Sequence, residues 1–184
     1  MALISETDIS GVLEIHPKVF DDSRGYFFES YREDWFTSRG ITHGWIQDNQ
    51  SFSQKGTVRG LHFQRVPFAQ AKLVRVIQGI VKDVVVDLRK DSSTFGKSFS
   101  VILDSKKHNL LYVPVGFAHG FSVLEDAVFA YKCSNYYNRE SEGGILWNDP
   151  ALNIDWEVEN PILSEKDQLW PTLEEFKNQS GGGL

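Results

Sequence analysis

The sequence has a single cysteine, Cys133, in 184 residues. That excludes an internal disulfide and any multi-cysteine metal site, and a lone thiol fits a reducing, cytoplasmic home. There is no excess of positive charge: 19 basic residues against 25 acidic ones give a net charge of -6. Nonspecific grip on nucleic acid needs a basic field that this chain lacks, whereas a small anionic ligand needs only a few local cations. No apolar run approaches the ~18 residues of a membrane span, so no membrane is expected as a partner. The segment Met1 to Gly11 has no basic region and carries Glu6 and Asp8, which argues against a secretory signal. No repeat is present. The one low-complexity stretch, Ser180 to Leu184, reads as a flexible tail. No Pro- or Ser-rich linker divides residues 1–184, which read as one domain.

What is present is a soluble, globular composition, with 41% hydrophobic and 24% charged residues. Aromatics reach 13%, and aromatic residues favour strands and ligand pockets. Short strand-like runs punctuated by turns dominate. They cover Tyr26 to Tyr31, Gln47 to Ser53, Thr57 to Phe63, Ala71 to Gly79, Ile80 to Leu88, Ser98 to Leu103, Asn109 to Val113, Gly120 to Leu124 and Ala127 to Ser134. Glu125-Asp126 reads as a hairpin turn between the last two. Many short strands this close together predict an all-β sandwich or jelly roll. Two short peripheral helices are expected, over Arg32 to Ser38 and Thr172 to Asn178. The second has Glu174 and Glu175 in its first turn, where carboxylates are favoured.

Three clusters carry candidate chemistry. In Gly56 to Gln64, strand alternation puts His62 and Gln64 on one face and Arg59 on the other, so one site holding both Arg59 and His62 needs a bulge, which Gly60 can supply. Pro114 to Gly120 is a tight turn presenting His119 at the start of a strand. A cupin-type metal site has a His-x-His pair and a carboxylate; here the pair reads His62-Phe63-Gln64, and two histidines fall short of the three or four ligands a metal wants. That is a cupin-like pocket without metal. Lys72 shares a strand face with Val74 and Val76, as a snorkelling edge residue or an inward cation. Asp83 and Asp87 share a face with Val81 and Val85, which marks either a solvated face or a polar pocket. Tyr131 fits a core aromatic as well as a catalytic one.

Together these segments resemble the dTDP-4-dehydrorhamnose 3,5-epimerase family. The resemblance runs through Asp22 to Glu29, Gln47 to Ser51, Arg59-Gly60-Leu61-His62, Lys72 to Val74, Val84 to Arg89 with Ser93 to Gly96, Val113 to Phe121, and Trp147 to Pro150. It implies a cupin-type jelly roll, a homodimer, no metal and no cofactor. The implied substrate is a dTDP-linked 4-keto-6-deoxy sugar whose C3 and C5 are inverted on the way to dTDP-L-rhamnose. The 4-ketone acidifies the hydrogens at both carbons, so inversion needs a base, an acid on the opposite face and a donor for the enolate oxygen. The resemblance assigns these roles to His62, Tyr131 and Lys72, with Asp167 orienting His62. It implies substrate contacts from Arg59 and Lys166, and from Gln47, Asn49, His119 and Glu142, with Tyr137 stacking on thymine. Phe20, Arg24 and Glu29 match an arm that reaches the neighbouring subunit's site.

Three rival readings share these residues. An epimerase acting at C3 alone would keep the same fold, base and acid. A metal-dependent cupin oxygenase conflicts with Gln64. A noncatalytic sugar-nucleotide binding module would have no use for an acid and a base together.

Overall fold

The computed structural model describes residues 2–184. In chain order it contains β1 (Leu3–Glu6), β2 (Leu13–His16), β3 (Val19–Asp22), β4 (Gly25–Phe28), α1 (Asp34–Thr37), β5 (Gln47–Ser53), β6 (Val58–Gln64), β7 (Lys72–Asp87), β8 (Ser98–Asp104), β9 (Leu110–Val113), β10 (Phe117–Cys133), β11 (Glu142–Gly144) and α2 (Leu173–Ser180). A 3-10 turn spans Lys166–Gln168. Every pairing between these strands is antiparallel. The architecture is the all-β jelly roll that the spacing of strands and turns predicts.

Two long strands, β7 and β10, pair along their lengths and run through both halves of the roll. The first half of β7 and the second half of β10 join β1, β2, β9 and β5, in the order β1-β2-β9-β7-β10-β5. Their other halves join β8, β6 and β11, in the order β8-β7-β10-β6-β11. This corrects two expectations. Ala71 to Leu88 is one strand rather than two, and Glu125-Asp126 is no hairpin turn but a stretch of irregular register inside β10. The cause lies opposite, at Gly79. Its φ is +83°, and a Cβ there would stand 2.1 Å from the Asp126 carbonyl oxygen. Both strands bulge where they cross from one half of the roll to the other, which flips the inward parity of β7 from Lys72, Val74 and Val76 to Val81, Asp83, Val85 and Asp87.

Three apolar clusters follow from this alternation. The interior holds Val74, Val76, Val81, Val85, Leu103, Phe121 and Phe129. One outer face, with Val84, Val86 and Leu88, is covered by Trp156 and by Phe176 of α2. The other, with Leu13, Ile15, Leu73 and Tyr112, is covered by Trp35 and Phe36 of α1. Both helices are peripheral, as expected. α1 is shorter than Arg32 to Ser38, while α2 runs two residues further than Asn178 because Gly181 closes it in a left-handed conformation. Thr172 and Glu175 form a reciprocal capping box at its start.

The Ser180 to Leu184 tail, expected as a flexible segment from its glycine run, makes contacts with the body of the domain. Leu184 N–H donates to the Leu88 carbonyl at 2.7 Å, Lys90 N–H donates to the Leu184 carbonyl at 3.0 Å, and the leucine side chain packs against the α2 cluster. Among the described residues no helix is long and apolar enough to cross a membrane.

Candidate active site

The site is built around a break in β6. Between His119↔His62 and Phe121↔Arg59 the ladder with β10 slips by one residue, so β6 carries one extra residue there. Gly60 makes this bulge. Its φ is +131°, and a Cβ there would lie 2.6 Å from Gly120 Cα. The bulge turns Arg59 and His62 toward the same side, and both line one cavity of about 390 Å³ inside the roll. That cavity is also lined by Ser51, Lys72, His119, Phe121, Phe129, Tyr131, Ser164, Lys166 and Asp167. A second cavity of about 250 Å³ adjoins it through His62, Lys72 and Tyr131 and adds Gln47, Asn49, Gln64, Gln70, Tyr137 and Glu142. Eleven of the fourteen candidate site residues from the sequence therefore line these two adjoining cavities.

His62 Nε2 lies 2.5 Å from Asp167 Oδ1. The carboxylate comes from the 3-10 turn, is almost fully buried, and receives its own backbone-to-Ser164 anchor at 3.2 Å. Burial pushes the Asp167 carboxyl up, but the hydrogen bond and charge of His62, together with hydrogen bonds from Ser164 and the Gly60 backbone, outweigh it and hold the group below its ordinary value. Lys72 enters from β7. Burial pulls its ammonium down, against the opposing pull of the charges at Asp83 and Glu142. Tyr131 enters from β10, in register with Asn49 on β5. Burial raises its phenol, which keeps the proton on the oxygen, against a smaller downward pull from Arg59.

The polar groups around these residues are tied to one another. Arg59 Nε donates to Ser53 Oγ at 2.9 Å, which fixes the guanidinium at one end of the cavity. At the other end Lys166 Nζ donates to Glu142 Oε1 at 2.7 Å, and Tyr137 OH donates to Glu142 Oε2 at 3.0 Å. Gln47 accepts from Tyr137 N–H at 2.9 Å and donates to Asn49 Oδ1 at 3.0 Å. Tyr137 is half exposed at the mouth.

His119 is buried against a partner that the alternation of β7 left open between solvent and pocket. Its Nε2 lies 2.9 and 3.0 Å from the two oxygens of Asp83. Burial pushes Asp83 up and His119 down, toward the uncharged form of each, and the attraction between them resists both changes. Asp83 thus faces inward and backs His119, without lining the cavity itself. Gln64 accepts from Asn138 N–H at 3.1 Å, and among the described residues no three His, Cys, Asp or Glu side chains converge on one point.

Phe20, Arg24 and Glu29 are not in this pocket. They lie on or beside the separate β3–β4 hairpin, where Arg24 pairs with Asp22 at 2.6 Å and Glu29 with Arg32 at 2.9 Å. Sequence reasoning passed over Ser51, Gln70, Phe121, Phe129 and Ser164. Ser51 carried a signal, since it shares strand parity with Gln47 and Asn49; Gln70 and Ser164 lie outside the strands and carried none.

A jelly-roll cavity holding a His–Asp pair, a protonated phenol and a buried amine is an acid–base site able to move protons at carbon. The chain belongs to the dTDP-4-dehydrorhamnose 3,5-epimerase family, whose family model matches residues 6–175. It is 50% identical over 166 residues to a dTDP-4-dehydrorhamnose 3,5-epimerase of Shigella flexneri, an alignment covering 89% of this chain and 92% of that one. Among solved structures, a dTDP-6-deoxy-D-glucose-3,5-epimerase from Legionella pneumophila in complex with dTDP-4-keto-L-rhamnose superposes with a TM-score of 0.93 at 44% identity, covering 97% of this chain and 96% of that chain. A 3'-monoepimerase from Streptomyces bikiniensis in complex with dTDP-quinovose superposes with a TM-score of 0.87 at 32% identity, covering 95% of this chain and 89% of that chain.

Proposed function

We propose that this protein converts dTDP-4-dehydro-6-deoxy-D-glucose to dTDP-4-dehydro-L-rhamnose, inverting C3 and C5 without metal or cofactor, in the route to dTDP-L-rhamnose. The observation that carries this reading is the meeting of His62, Lys72 and Tyr131 at the junction of the two cavities. His62, whose Nε2 is held by Asp167, takes a proton from the carbon beside the ketone. The electron pair moves onto the C4 oxygen, where Lys72 donates to it. Tyr131 returns a proton from the opposite side and is left as a phenolate; solvent resets both groups before the second carbon reacts. The depressed Asp167 carboxyl remains an anion and stabilises the imidazolium, as a triad carboxylate does.

Arg59 is placed for a diphosphate, since its guanidinium is already oriented by Ser53. Tyr137, Gln47, Asn49, His119, Glu142 and Lys166 hold the nucleotide and sugar, with Tyr137 against thymine. The working unit is a cytoplasmic homodimer, in which Phe20, Arg24 and Glu29 of one subunit complete the other's pocket. In support, the hairpin bearing two of them exposes Phe20, Tyr26 and Phe27, more apolar surface than a lone hairpin keeps without a use.

Proton NMR of the 4-keto sugar nucleotide in deuterated water tests the reaction. Deuterium at both C3 and C5 is expected. Deuterium at C3 alone would establish the C3-only reading, which the likeness to a monoepimerase keeps in view. No deuterium at either carbon would leave a binding module. Loss of activity with a chelator, restored by one divalent ion, would establish a metal-dependent enzyme.

A further inference from the structure

Trp170 lines neither cavity. It lies behind His62, with ring centroids 6.1 Å apart and planes at 70°. The indole covers Gly144 of β11, the residue paired with His62; a Cβ on Gly144 would stand 2.5 Å from the indole ring. Lys166 Nζ lies 5.9 Å from the same ring. The chain on both sides is pinned. Leu169 N–H donates to the Lys166 carbonyl at 3.1 Å, and Leu146 N–H donates to the Pro171 carbonyl at 2.8 Å. The indole is thus wedged between the turn that carries Asp167 and the strands that carry His62. Its Nε1–H is buried and meets no acceptor among the described residues, so its contact with the site is made through the ring.

We propose that Trp170 is a positioning residue for the epimerase: its ring is the wall that holds the His62 imidazole against Asp167 and aimed into the cavity. His62 is otherwise tied at one nitrogen only, and its side chain is about one quarter exposed. A general base displaced by about 1 Å costs on the order of 100-fold in rate, so the wall matters to turnover rather than to nucleotide binding.

The proposal rests on His62 being the base, and wild-type solvent exchange at C3 and C5 tests that separately. If the wild type exchanges neither proton, the reading of His62 fails; if it exchanges both and the variants below match it, this inference alone fails. Trp170→Ala is expected to lower kcat by roughly 10- to 100-fold and to move the acid limb of the kcat–pH profile. The dissociation constant for dTDP, measured by calorimetry, should stay within about threefold. Trp170→Phe keeps a ring and drops only the unpaired N–H, so it should restore most of kcat. Gly144→Ala, which pushes the indole away while retaining it, should reproduce the kinetic signature of Trp170→Ala. Trp170→Leu carries the same measurement if the alanine variant does not fold. Wild-type kcat and pH profile in Trp170→Ala would overturn the proposal. So would loss of dTDP binding in parallel with kcat, which marks general damage. A Trp170→Phe variant as slow as Trp170→Ala, with wild-type melting, would overturn it in favour of the indole N–H.

Discussion

His62 and Tyr131 come from strands that flank the cavity, and their two roles separate by isotope exchange. His62→Ala deletes the base, so solvent exchange at C3 and C5 should fall with turnover, by about 100- to 10,000-fold. Tyr131→Phe keeps the ring and its packing against Phe129, 5.9 Å away, and removes only the proton. Deuterium should still enter the substrate in this variant, with little inversion; inversion at the wild-type rate would show the hydroxyl to be idle. Asp87 offers a test away from the chemistry. Burial pushes its carboxyl up, but Arg89, Thr94 and Ser92 donate to it and bring it down to about 2. A depressed carboxyl adds stability that is complete above its unfolded value of 3.8 and is lost as pH falls from there through about 2. Asp87→Asn should therefore lower unfolding free energy at pH 7 by about 2 kcal/mol, and the gap to the wild type should close below about pH 2 in urea titrations. Among single residues, strand parity narrowed Lys72 only to an edge residue or an inward cation, and Gln47 and Asn49 were reached through family resemblance rather than through parity. Asp167 was reached only through family resemblance, since it meets His62 across 105 residues of chain. Trp170 carried no signal: nothing local distinguishes an indole behind a histidine from any other aromatic.

At the scale of elements, the strand Gln47–Ser53 was readable to the residue, whereas β7 and β10 were cut at the wrong places. The error has a physical source. Gly79 and Glu125-Asp126 have turn chemistry, and a bulge uses the same residues as a turn; only the partner strand decides between them. The short strands β1 to β3 and β11 were missed, whereas β4 and β9, no longer than four residues, were readable from an aromatic run after a turn and from a continuous apolar run. The crossing bulge is itself testable. Gly79→Ala must hold a φ of +83° and drive its methyl into the Asp126 carbonyl. The left-handed conformation alone costs about 1–2 kcal/mol, and the clash adds to it, so a loss above about 2 kcal/mol is expected in denaturant unfolding. An unchanged midpoint would show that the two long strands do not need the bulge.

For the whole molecule, the pocket is formed within one chain, but the β3–β4 hairpin stands apart from the main sheet and carries residues that resemble substrate contacts. One face of β4 packs on His108, whose ring lies 4.5 Å from that of Tyr26 and 4.6 Å from that of Phe28. A hairpin held along one face and apolar at its surface is suited to meet a second copy, and a two-fold dimer would exchange two such arms. Subunit mixing decides the matter. An Arg24→Ala chain keeps its own His62 but presents a defective arm; a His62→Ala chain lacks the base but presents an intact arm. If arms cross, a dimer of one each has one site with both His62 and Arg24 intact. After full exchange of equal amounts, half the dimers are mixed and each has one working site of two, so activity should recover to roughly a quarter of the wild type. If each pocket were completed by its own hairpin, every site would carry one lesion, and the mixture would be no more active than the two variants assayed apart. Subunit exchange confirmed by mass-tagged chains, together with no recovery, would return the arm to its own subunit.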